Sequence, residues 1–363
     1  MAQTAIDYIQ NMLRTCWQRT TYLVAQTTKR WQGQYKPLSS HDLDAKSRID
    51  SEAKPRYRLD DETSDTMTLP DGRKLGYAIF GASTGPTIFH LHGFPGSRSQ
   101  GAVYEEIARR LGARVIAVDR PGAGLSSAQP GRTPLDHAHD ITHLAKQLHI
   151  ERFAVMGVSG GGLYALACAT AIPKENLKGV ALVAGIGPWE LGFKGMKHQN
   201  RLLFYGFRYW PSAVRWVLLR LRTATAKVPE DVLLEGMQWK PQYAWLRFFG
   251  PPAKDAEILQ DRDHNKLMLK ASREFGALGV DSSYMEEGRI YTSDSGYKIE
   301  DIDPELPIQL WYGKQDVNVP LRMGQEIAVR LGGRATMKVE DETHVSLIMN
   351  FRSQVLDGLL KCL

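Results

Sequence analysis

Gly157-Val158-Ser159-Gly160-Gly161 fits the pattern G-x-S-x-G, which can hold a serine on a sharp turn between a strand and a helix. The preceding run Phe153-Ala154-Val155-Met156 is apolar, and Leu163-Tyr164-Ala165-Leu166-Ala167 after it favours helix. Glycines at 157 and 161 would let the two elements approach closely, leaving the hydroxyl to project above a sheet. On its own, the same pattern reads as a glycine-rich turn with a capping serine. A serine hydroxyl is a weak nucleophile at neutral pH: it needs a base, and the base needs an orienting acid. Asp316 follows Trp311-Tyr312-Gly313, and His344, the only histidine after Asp316, follows a later strand-like run. Taken singly, His344 reads as a surface-loop residue and Asp316 as a loop cap. Taken together, in the order Ser159, Asp316, His344 at successive strand ends, they read as nucleophile, acid and base. The base must be neutral to accept the serine proton, so activity is expected to rise with a midpoint of about pH 6 to 7.

Attack on a carbonyl places negative charge on its oxygen, which calls for two aimed N–H groups. His90-Leu91-His92-Gly93-Phe94-Pro95-Gly96 leaves another strand and opens a loop, making the N–H groups of Phe94 and Gly160 the candidate oxyanion donors. Pro95 has no N–H. His92 is assigned a structural role, and the loop Asp119-Arg120-Pro121-Gly122 through Ser126 is expected to form a rigid turn under the pocket.

The elements that must position these groups are short β-rich runs alternating with helical stretches, the signature of a mostly parallel sheet flanked by helices. A hairpin is predicted over 67–69 and 74–80 around Pro70-Asp71-Gly72, with strands at 87–92, 115–119, 153–158, 179–183, 308–312 and 336–339. Helices are predicted near 98–112, 134–149 and 160–171. The rhythm breaks over 188–300, which reads as a helical cap inserted into a core made of 66–187 and 301–363. Before the core, 1–35 reads as an amphipathic basic helix and 36–65 as a surface linker. The cap holds five of the eight tryptophans, including Trp189 and Trp210, and also Trp216, Trp239 and Trp245, with Phe193, Phe204, Phe248 and Phe249 among its other aromatics. Such a lid favours a hydrophobic small-molecule substrate, with Trp189, Phe193 and Trp210 as candidate contacts.

Composition narrows the class: 43% hydrophobic and 24% charged residues suit a globular protein. Three widely separated cysteines, Cys16, Cys168 and Cys362, offer neither a disulfide framework nor a CxxC metal site, so no metal is expected. No run of eighteen apolar residues occurs and no secretory leader is evident, so a cytoplasmic protein is expected. The net charge of +6 is localised: residues 190–227 hold eight basic residues against the single acid Glu190. A solvated helix face is the plainer reading of that stretch, with phosphate, an anionic membrane surface or an acidic substrate as the alternatives, and no nucleic-acid partner is expected. For the N-terminal helix, docking onto the protein's own core stands beside peripheral membrane contact or organelle association.

Together, His92-Gly93-Phe94-Pro95-Gly96, Asp119-Arg120-Pro121-Gly122, the Ser159 motif, Asp316 and His344 resemble the capped branch of the α/β-hydrolase superfamily, across residues 66–363. That branch includes esterases, proline iminopeptidase-like enzymes, C–C bond hydrolases and epoxide hydrolases. The resemblance implies an α/β-hydrolase fold and a Ser-His-Asp mechanism with no cofactor. Epoxide hydrolases and haloalkane dehalogenases use an aspartate where Ser159 stands, which argues against both. The leading expectation is hydrolysis of an ester, thioester or lactone with a hydrophobic portion. An iminopeptidase-like peptidase and a C–C hydrolase remain alternatives, and a non-catalytic receptor on the same fold is the rival from another class.

Overall fold

The computed structural model describes residues 56–238 and 251–363. The expected N-terminal helix, most of the linker, and Trp239, Trp245, Phe248 and Phe249 lie outside the described residues. Eight strands form one sheet: β1 (Ser64–Thr68), β2 (Lys74–Gly81), β3 (Thr87–Leu91), β4 (Arg114–Val118), β5 (Phe153–Val158), β6 (Leu177–Val183), β7 (Ile308–Gly313) and β8 (Thr336–Glu340). Their spatial order is β1-β2-β4-β3-β5-β6-β7-β8. β1 pairs antiparallel with β2, and β2 with β4; every later pairing is parallel. A parallel sheet needs a crossover between neighbouring strands. Those crossovers include helices α1 (Glu105–Arg110), α2 (Pro134–Gln147) and α3 (Gly161–Ala171).

The central strands are buried on both faces, so they read in sequence as unbroken apolar runs. All six residues of β5 are buried. Phe153 and Val155 face one hydrophobic cluster, while Ala154, Met156 and Val158 face the other, as the two-residue period of a strand requires. Removing one such aliphatic side chain from water is worth about 1.5–3 kcal/mol, so this double-sided burial fixes the register that sets the strand ends.

Between β6 and β7 the chain builds α4 (His198–Tyr209), α5 (Pro211–Thr225), α6 (Glu230–Met237), α7 (Ala253–Ile258), α8 (Arg262–Phe275) and α9 (Glu286–Tyr291). After β7 come α10 (Leu321–Arg330), then, past β8, α11 (His344–Asn350) and α12 (Arg352–Leu360). Residues 56–363 form one compact unit. Residues 56–65 are part of it and do not act as a loose linker. Tyr57 is buried in the core, Asp61 pairs with Arg98 and Lys270, and β1 begins at Ser64. The helix predicted near 98–112 is a 3-10 turn, Arg98–Tyr104, running into α1.

Candidate active site

β5 ends at Val158 and α3 begins at Gly161, so Ser159 and Gly160 must reverse the chain between them. Ser159 takes a φ of 51°, a left-handed conformation that costs a non-glycine residue on the order of 1–3 kcal/mol. Its neighbours hold it there. The Ser159 N–H donates to the Val183 carbonyl at 3.0 Å, and its own carbonyl accepts from Gly162 at 3.0 Å and Ile186 at 2.8 Å. A Cβ on Gly157 would collide with the Gly161 carbonyl, and one on Gly161 with the Leu91 carbonyl. The strand–helix approach anticipated from those glycines is therefore present.

Ser159, Asp316 and His344 follow the carboxyl ends of β5, β7 and β8, and parallel pairing puts those ends on one edge. His344 Nε2 lies 3.0 Å from Ser159 Oγ, and His344 Nδ1 lies 2.7 Å from Asp316 Oδ2. Asp316 Oδ1 accepts from the N–H groups of Asn318 and Val319 at 2.7 and 2.8 Å, so the carboxylate cannot swing away from the ring. Burial disfavours the charged imidazole, but the charge and hydrogen bond of Asp316, with Asp255 farther off, outweigh it and raise the His344 pKa above the usual 6.5.

The backbone of Phe94 approaches Gly160 closely: a Cβ on Gly160 would stand 3.2 Å from the Phe94 nitrogen. Among the described residues, neither N–H is used in a hydrogen bond. Both residues line the cavity that holds Ser159 and His344, where an oxyanion donor pair must sit. His92 is buried with Nδ1 2.9 Å from the Gly93 carbonyl. Burial and the charge of Arg120 push its pKa well down, which keeps it neutral.

Two buried groups support this arrangement: Arg120, read in the sequence only as part of a rigid turn, with its partner Glu287, and Asp255, which the sequence did not single out. Arg120 donates to the carbonyls of His92 at 2.6 Å and Gly93 at 3.0 Å, directly before Phe94. It is held by Glu287 of α9 at 3.1 Å; Glu287 also pairs with Arg132 and accepts from Tyr164 at 2.6 Å. Burial alone would raise the Glu287 pKa, but the two guanidinium charges and the tyrosine hydroxyls outweigh it and hold the carboxyl below its usual range. The second group is Asp255 of α7, which is 2% exposed. Its Oδ1 accepts from Thr343 Oγ1 and from the N–H groups of Val345 at 2.9 Å and Ser346 at 3.1 Å. It thus caps the helix whose first residue is His344. A charged residue directly after a buried strand was the one available signal for Arg120. For Glu287 and Asp255 a single sequence offers none.

The cavity above Ser159 has a volume of about 320 Å³ and is walled by Phe94, Ile186, Met196, Leu203, Phe204 and Tyr291, among others. Its polar feature away from the serine is an amide pair, Asn200 donating to Asn318 at 3.1 Å. None of Trp189, Phe193 and Trp210 lines it, which corrects the expected contacts. Phe193 is stacked behind Phe204 with ring centroids 4.7 Å apart, and Trp189 packs on Phe193 and Tyr205. Trp210 ends α4 and is 61% exposed. Composition marked the segment as aromatic but could not say which face of α4 turns inward. Among the described residues, no group of three or more His, Cys, Asp or Glu side chains could hold a metal ion.

Residues 88–351 match the model of the alpha/beta hydrolase family. The chain belongs to the alpha/beta hydrolase family. This alpha/beta hydrolase is 36% identical over 135 residues to the sn-1-specific diacylglycerol lipase ABHD11 of Danio rerio, covering 36% of this chain and 41% of that one. It is 32% identical over 212 residues to Lipase 1 of Psychrobacter immobilis, covering 55% and 57% respectively. The chain thus spans about half the length of the curated relatives it matches. Among solved structures, an alpha/beta hydrolase fold protein from Nakamurella multipartita aligns with a TM-score of 0.56 at 20% identity, over 82% of this chain and 99% of that one. A hydrolase from Pseudomonas aeruginosa aligns with a TM-score of 0.53 at 18% identity, over 83% and 99%. Those two likenesses are likenesses of fold. No helix among the described residues is long and apolar enough to cross a membrane.

Proposed function

We propose that this alpha/beta hydrolase cleaves a carboxylic ester, thioester or lactone with a hydrophobic acyl portion, through an acyl-enzyme on Ser159. The observation that carries the reading is the hydrogen-bonded chain Ser159–His344–Asp316 opening onto a mostly apolar cavity. With the carbonyl carbon over Ser159, His344 Nε2 takes the hydroxyl proton as Oγ attacks. Asp316 holds the Nδ1–H tautomer and stabilises the imidazolium. The oxyanion lies between the N–H groups of Phe94 and Gly160. His344 then gives its proton to the leaving alcohol or thiol, and finally activates the water that releases the acid.

The cavity wall also bears on the competing bond types. A peptidase reading a free amino terminus needs a carboxylate to receive it, and among the described residues no Asp or Glu lines this cavity. The lipase names of the relatives agree with an ester bond. A panel of p-nitrophenyl esters of graded acyl length, run beside aminoacyl-p-nitroanilides, tests the reading. Ester turnover that depends on Ser159 and peaks at medium chain length is expected; anilide turnover without ester turnover would contradict it.

A further inference from the structure

Helix α5 spans 15 residues and buries none of their side chains. Helices on globular proteins ordinarily turn an apolar stripe into the core. Here α5 touches the rest of the fold along one side, through Val214 against Gly206, through Arg215, which pairs with Asp281 at 2.6 Å, and through Arg222, which donates to the Gly276 carbonyl. At about 100° per residue, Trp216 and Arg220 lie opposite that contact side, with Val217 and Leu221 along one flank. Trp216 is 45%, Val217 45% and Leu221 55% exposed. At the junction with α4, Tyr209 and Trp210 add two more exposed rings.

The charge on this segment is one-sided. Between Glu190 and Glu230 there are eight Lys and Arg residues and no Asp or Glu. Arg220 lies over the Trp216 ring at 5.5 Å, and Arg208 over Trp189 at 6.0 Å. Arg220 therefore carries its charge at the edge of exposed apolar surface, the arrangement that lets an aromatic ring enter a headgroup region while a guanidinium meets phosphate, and Arg208 lies over the half-buried Trp189. The same hairpin reaches the candidate active site, since Asn200, Leu203 and Phe204 of α4 line its cavity.

We propose that the outer face of α5, with Tyr209 and Trp210, docks the protein onto a bilayer carrying anionic phospholipid. Trp216, Val217 and Leu221 enter the interface and the arginines pair with lipid phosphates. Charge complementarity selects this occupant: α4 and α5 carry no acidic residue of their own, and the neighbouring Asp281 is paired by Arg215, so the exposed arginines suit a negatively charged surface, whereas two copies would set arginines against arginines. The claim concerns binding alone and does not depend on what Ser159 does.

The test is flotation of the full chain with phosphatidylcholine vesicles, with and without about a third of phosphatidylserine, while light scattering reports the mass of the free protein. Ser159→Ala is run alongside, so that loss of hydrolysis and loss of binding are read separately. Both proteins should float with the anionic vesicles and not with the neutral ones, and binding should fall as salt is raised. Arg220→Glu should weaken partitioning about tenfold or more, and Trp216→Ser with Leu221→Ser should abolish it. The Arg220→Glu variant and the Trp216→Ser, Leu221→Ser variant should keep the melting temperature of the parent protein, which shows that they have folded. Two results would overturn the proposal: no flotation by folded protein, or a dimer in solution that the Trp216→Ser, Leu221→Ser variant converts to monomer.

Discussion

Removing the Asp255 carboxylate should loosen the helix that carries His344 and also change the titration of His344. One oxygen of Asp255 serves three donors, the Thr343 hydroxyl and the N–H groups of Val345 and Ser346. Thr343 Oγ1 keeps a second partner in Ser346 Oγ at 2.7 Å, so the loss falls mainly on the two backbone donors. Losing a helix cap costs about 1–2 kcal/mol, and leaving a buried donor unsatisfied costs about 1–3 kcal/mol. Asp255→Ala should therefore lose about 2–4 kcal/mol, or on the order of 5–10 °C in Tm for a unit of this size. Asp255→Asn keeps an acceptor at the same place and should lose roughly half as much. The charge is a separate matter. His344 faces the carboxylates of Asp316 and Asp255 and the ammonium of Lys197, and the nearby Lys254 pairs with Glu342 at 3.4 Å. Both carboxylates favour the protonated ring, so either variant should lower the His344 pKa and move the acidic limb of kcat/KM to lower pH. Release of the helix should in addition reduce kcat by up to about a hundredfold in Asp255→Ala, because small displacements of a reacting group are costly. The measurements are thermal melting and a pH series of kcat/KM for both variants. An Asp255→Ala protein with unchanged melting and an unmoved acidic limb would refute this account of the residue.

Four further outcomes follow from the same geometry. Ser159→Ala and His344→Ala should each lower kcat by about a thousandfold or more with little change in melting, since neither fills the core; steady-state kinetics beside calorimetry checks this. For the unaltered enzyme, kcat/KM should rise with pH and reach half-maximum above 6.5, because the free-enzyme His344 must be neutral to act and its pKa is raised; a flat profile from pH 5 to 8 would count against this base. Glu287→Gln should destabilise by about 3–5 kcal/mol, since Arg120 and Arg132 would remain buried without their counter-charge, as denaturant unfolding would show. Phe204→Ala should shift the preferred ester toward longer acyl chains in the graded panel, because that ring walls the cavity.

The strands and the elbow were legible in the sequence because their causes are local. An unbroken apolar run such as 153–158, followed by glycine and serine, specifies a buried strand entering a tight turn. Each of the two later site residues likewise follows its own strand. What escaped is held together by contacts between distant parts of the chain. Glu287 meets Arg132 across 155 positions and Asp255 meets Thr343 across 88, and nothing near either carboxylate announces its partner. The aromatic cap shows a different limit. Its tryptophans and phenylalanines were visible, but Phe204 turns its ring to the cavity because of how α4 is rotated on the core, while Phe193, in the segment before α4, stacks behind it.

The most direct test of the central claim is rapid mixing with a medium-chain p-nitrophenyl ester, followed by acid quench and peptide mass spectrometry. The account predicts a burst of p-nitrophenol of about one equivalent if deacylation is slow, and one acyl group on the peptide containing Ser159, absent in Ser159→Ala. Turnover with the acyl group on another residue, or undiminished turnover by Ser159→Ala, would contradict it.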